Sequence, residues 1–101
     1  MIYKLIDLVE ARDGKHKYKV VLLNKETNRK KTVKFGAIGY EDYTVHKDDS
    51  RKQKYIKRHS GMGEDYSANG IDTAGFWAMH LLWNKPTLEA SLNDIMKKFD
   101  L

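Results

Sequence analysis

HKYKVVLLNKETNRKKTVKF, His16 to Phe35, is the stretch that decides the fold. His16, Tyr18, Val20 and Leu22 alternate with Lys15, Lys17, Lys19 and Val21, the period-2 pattern of a strand with one wet face. Asn24 to Asn28 is polar and turn-like. After it, Lys31, Val33 and Phe35 alternate with Lys30, Thr32 and Lys34, which predicts a second strand antiparallel to the first. Upstream, Ile2 to Val9 is apolar but of mixed periodicity. Asp13-Gly14 just beyond it is a hairpin signal, so this segment is also expected to be a strand. Residues 1–36 therefore read as a three-stranded antiparallel meander.

The rest of the chain changes period. Asp48 or Asp49 can cap a helix running to about His59, because a short carboxylate accepts from free backbone N–H groups at a helix start. Lys57, Arg58 and His59 give its last turn the favourable sign. Ser60 to Gly70 reads as a flexible loop of glycines and small polar residues. Asp72 or Thr73 can cap a second helix from Ala74 to about Trp83, which must stop before Asn84-Lys85-Pro86. Thr87 then caps a last helix with an apolar stripe of Leu88, Leu92, Ile95, Met96 and Phe99. The expected architecture is α+β: a small antiparallel sheet followed by two or three helices, with the helical part over residues 48–101. At 101 residues the chain has room for a single domain and one core.

Composition narrows the function. There is no cysteine, so disulfides and thiolate metal sites are excluded. No apolar run approaches the roughly 20 residues of a membrane span, and MIYKLIDLVE has no leader pattern, so no membrane partner is expected. The net charge of +5 is unevenly spread: +2 over Met1–Thr27, +6 over Asn28–Ser60 and −3 over Gly61–Leu101. A cationic middle third is what a polyanion would meet, although a solvated basic surface would look the same.

Within that third, Arg51, Tyr55, Arg58 and His59 fall along one side of the predicted helix, with Lys54 and Lys57 on its flank. Guanidinium groups bind phosphate through two parallel hydrogen bonds, and lysines act as point charges. Arg29, Lys30, Lys31 and Lys34 form a second cluster on the third strand, which would extend a phosphate track if the two lay side by side. Tyr40, Tyr43, Tyr55 and Tyr66 interleave with these cations and could stack on bases or close a core edge.

Gly36 and Gly39 fit no phosphate-loop or dinucleotide signature, and a bulge or tight turn accounts for them. His46, Asp48, Asp49 and His59 are the one group from which a metal or acid–base site could be built, yet their spacing matches no established motif. Neither a metal, another cofactor nor a catalytic residue is expected. His80, between Phe76 and Trp83, reads as a hydrogen-bonded core histidine. Trp77 and Trp83 belong to an apolar block in which one tryptophan could line a surface groove.

The pattern FG-x-x-GY-x-DYT-x-HKD-x-x-R-x-x-YI-x-RH, Phe35 to His59, and T-A-GFW-x-x-x-LLWNKP-T-L, Thr73 to Leu88, resembles a family of small uncharacterised proteins of large DNA viruses of eukaryotes. The amino-terminal strands lie outside the resemblance. Members carry a basic residue and an aromatic where this chain has Met79 and His80. The resemblance brings no activity and no site residue. It implies a viral origin, and with it a virion or the cytoplasm or nucleus of an infected host cell.

The expected function is thus a small basic protein that binds nucleic acid, DNA before RNA, through Arg51, Lys54, Tyr55, Lys57, Arg58 and the Arg29, Lys30, Lys31, Lys34 cluster, in packaging or virion association. One alternative is a capsid-associated interaction protein, contacting a capsid protein or a second copy through Trp83 and Met79. The other is a metal-dependent nuclease using His46, Asp48 or Asp49 and His59.

Overall fold

A computed structural model describes all 101 residues. The fold is α+β. Strands β1 (Tyr3–Glu10), β2 (His16–Asn24) and β3 (Arg29–Ala37) form one antiparallel sheet in the order β1-β2-β3. Side chains build both turns. Asp13 Oδ1 accepts from the N–H groups of Lys15 and His16 at 2.9 and 2.8 Å, and Asn24 Oδ1 accepts from those of Glu26 and Thr27 at 2.9 and 3.2 Å.

The mixed periodicity of the first strand has a specific cause. Leu5 pairs with Leu22 and Asp7 with Val21, so Ile6 is an extra residue in β1. Such a bulge advances the pleat by one position, which puts Tyr3, Leu5 and Leu8 on the same face and leaves Ile6 exposed.

Four helices follow: α1 (Tyr43–His46), α2 (Asp49–Ser60), α3 (Ala74–Trp77) and α4 (Leu88–Phe99). Of the alternative caps, Asp48 serves α2 and Thr73 serves α3, while Thr87 caps α4 as expected. The single turn α1 is additional to the expected two or three helices. Asp42 nucleates it by accepting from the Thr44 backbone N–H at 2.9 Å, and four residues carry no readable period. Helix α3 runs directly into a π-helical turn, Ala78–Leu82, which shifts the phase of the residues after it.

The core lies between one face of the sheet and the later helices. Val20, Leu22, Val33 and Phe35 pack against Ile71, Phe76, Trp77, Leu81, Leu82 and Ile95 in one cluster, and each such side chain contributes about 1.5–3 kcal/mol by burial. Trp77 is fully buried and its Nε1–H donates to the Ile71 carbonyl at 2.7 Å. In α4 Ile95 is buried and Leu88, Leu92 and Phe99 pack on the cluster, but Met96 is exposed.

Ser60 to Gly70 is less free than its composition implies. A short 3-10 turn, Ala68–Gly70, closes it, and a Cβ on Gly70 would overlap the Asp65 carbonyl. His80 Nε2–H donates to the Tyr66 carbonyl at 2.8 Å, which fastens the loop to the helical layer. Burial depresses the His80 pKa, so this core histidine is held neutral. No helix is long and apolar enough to cross a membrane.

Candidate functional site

Helix α2 carries the densest cationic run, and its first turn fixes how that run is presented. Lys47 adopts a left-handed conformation after α1, and the Asp48 N–H donates to His46 Nδ1 at 2.9 Å. Asp48 Oδ1 then accepts from the N–H groups of Ser50 and Arg51 at 2.9 and 3.2 Å. With its start held there, α2 turns Arg51, Lys54, Tyr55, Arg58 and His59 into a cleft of about 450 Å³. Gly36 and Ala37 at the end of β3, the Tyr40–Asp42 loop, and Ala78, Leu82 and Trp83 supply the other walls.

Gly36 shows how closely those walls meet. Its φ is +76°, and a Cβ there would stand 2.8 Å from Leu82 Cδ1. The positive φ favours glycine here, but Gly36 lies inside β3, whose pairing with β2 runs on without a shift, so neither the expected bulge nor a tight turn accounts for it.

An aromatic column runs beside the cations. The Tyr55 ring is stacked on Trp83 at 4.2 Å and 4°, and on His59 at 4.0 Å and 24°. Two rings that close and that nearly parallel must occupy opposite faces, so neither face of Tyr55 is open to a base. This corrects its expected role: Tyr55 holds the wall in place. Burial, with a smaller effect of Glu64, raises its pKa to about 12. Trp83 extends the column to His46 at 5.2 Å, and His46 in turn meets the edge of Tyr43 at 6.2 Å. Of the other tyrosines, Tyr43 is buried with its hydroxyl on Asp49 at 2.6 Å, Tyr66 donates to Glu64 at 2.7 Å, and Tyr40 stands 75% exposed on the cleft rim.

Charges in the cleft divide into paired and unpaired groups. Lys17 Nζ lies 2.6 Å from the buried Asp42 carboxylate, and Arg51 Nη1 lies 2.8 Å from Glu41 Oε2 at a half-exposed site. Lys54 and Arg58 form no ion pair. The cleft therefore keeps two uncompensated cations.

The strand cluster does not join this group as a whole. Lys34 lines an adjoining cleft of about 260 Å³ that shares Gly36, Tyr55 and His59 with the first, and it lies 3.8 Å from Asp13. Arg29, Lys30 and Lys31 sit at the opposite end of β3, about 10–16 Å of strand from Lys34 at roughly 3.3 Å per residue. Lys31 is engaged by Asp72 at 3.2 Å. Lys57 is exposed on α2 away from the cleft walls. A single track through all nine residues is thus not formed; its compact part is Arg51, Lys54 and Arg58 with Lys34 alongside.

The candidate metal group does not converge. Asp48 is a helix cap, Asp49 receives the Tyr43 hydroxyl, and His46 and His59 stand at opposite ends of the aromatic column. No three His, Asp or Glu side chains come close enough to hold an ion. Met79 is buried, which removes half of the surface expected to meet another protein. Lys17, Glu41 and Asp42 are cleft residues that the sequence reading passed over. Lys17 looks like any lysine on a wet strand face, and its partner is 25 positions away.

Residues 6–59 match the model of a family of unknown function (DUF5754). The matched region takes in the later part of β1 and all of β2 and β3 as well as Phe35–His59, and it ends before Thr73–Leu88, the stretch that supplies Trp83. No curated protein and no solved structure matches the chain.

Proposed function

We propose that this chain, which belongs to the family of unknown function (DUF5754), is a small basic protein that binds nucleic acid through the cleft beside α2. The observation that carries the reading is the pair Lys54 and Arg58, free of carboxylate partners and set beside Arg51 along one aromatic wall. Cations without acid partners are the groups that release counterions when a phosphate backbone arrives. DNA comes before RNA on the resemblance to proteins of large DNA viruses, and packaging or virion association in an infected cell is the setting that resemblance implies.

The test is a salt-titrated binding measurement with the wild type and an Arg51→Gln/Arg58→Gln variant. The variant is expected to bind more weakly and to show a log K against log salt slope shallower by about 0.7–0.9 for each lost phosphate contact. Unchanged affinity and slope would reject the reading. A capsid-associated contact is the alternative, selected by a stable oligomer or protein complex that has no affinity for nucleic acid.

A further inference from the structure

The cations of α2 are exposed along one wall of a cleft. Arg51, Lys54 and Arg58 share their surroundings with Tyr40 and Trp83 in a concave site whose volume, about 450 Å³, lies in the range of pockets that hold one small molecule. A duplex carries its phosphates on the outside of a cylinder and is read by elements that protrude into its grooves. The face of α2 that bears these residues is turned toward the end of β3 and Trp83, which sets its exposed cations beside a concavity and not on a protruding ridge.

An unpaired nucleotide has the complementary form: one flat base and a phosphate on either side of it. Within the cleft the Lys17–Asp42 and Arg51–Glu41 pairs are neutral, and Lys54 and Arg58 remain for the two phosphates. These two cations are four positions apart, about 6 Å along the helix axis, so neighbouring backbone groups of a single strand can reach both. Trp83 borders the cleft but stands between Tyr55 and His46 in the aromatic column, whereas Tyr40 on the rim is 75% exposed with no aromatic partner of its own. Tyr40, and not Tyr55 or Trp83, is the ring left for a base.

Resting on the nucleic-acid reading above, we infer that the cleft takes one unpaired nucleotide of a single strand, its base against Tyr40 and its flanking phosphates on Lys54 and Arg58. The protein then prefers single strands to duplexes with little dependence on sequence, since every base has a flat face to stack.

The experiment compares fluorescently labelled 12-mer single strands and duplexes by anisotropy at several salt concentrations, using the full chain and Tyr40→Ala. The single strand is expected to bind at least tenfold tighter. Tyr40→Ala should lose roughly five- to hundredfold in single-strand affinity, the range found for stacked bases, while duplex affinity stays unchanged. Tyr40 is 75% exposed, so the variant keeps the fold. Equal affinity for both forms, or full single-strand affinity in Tyr40→Ala, overturns this inference and leaves the nucleic-acid reading standing. Absence of binding to either form overturns both.

Discussion

Arg51 Nη1 lies 2.8 Å from Glu41 Oε2, with both side chains about half exposed, at 48% and 57%. Glu41 thus neutralises this guanidinium, so under the proposed function Arg51 would add to Lys54 and Arg58 only where a phosphate displaced Glu41. Glu41→Gln is expected to raise nucleic-acid affinity by roughly two- to fivefold at low salt, the scale of an exposed ion pair. The gain should shrink as salt screens the pair. Anisotropy titrations of wild type and variant at two ionic strengths check this; equal affinities at both would show that the pair does not compete.

The Lys17–Asp42 pair behaves differently because it is shielded, with 19% and 4% of the two side chains exposed. It ties β2 to the cap of α1 and so holds the loop that forms the cleft rim. Lys17→Met leaves Asp42 buried without its cation and is expected to lower stability by about 3 kcal/mol. Urea unfolding should show the loss as a lower midpoint at constant slope, and adding Asp42→Asn should restore part of it. No recovery in the double variant would mean that Lys17 acts mainly through packing.

His80 sets a pH dependence. Its folded pKa is depressed by burial below the ordinary 6.5, so the unfolded chain binds more protons than the folded chain as the pH falls past 6.5. Stability is therefore complete above that value, declines as the pH drops below it, and stops declining from this source below the depressed pKa. Urea midpoints between pH 8 and 5 should fall in that direction, and a His80→Asn variant should flatten the decline. A wild-type curve that is level across this window would contradict a proton-free His80.

The alternating patterns of His16 to Phe35 and the caps at Asp48, Thr73 and Thr87 were enough to determine the α+β order, because strand pleat and helix ends are set by neighbours a few positions apart. The bulge at Ile6 left a trace as broken periodicity, but its position depends on which residue of β2 stands opposite. The site was only half legible. Arg51, Tyr55, Arg58 and His59 were readable as one side of a helix with Lys54 on its flank, since a helix fixes what lies three, four and seven positions on. Whether that face met Trp83, which Glu41 neutralised, and why Arg29, Lys30 and Lys31 stayed apart were decided by tertiary structure. Those relations join side chains from separate elements, and only the packing of α2 between the end of β3 and the turn after α3 brings them to contact distance.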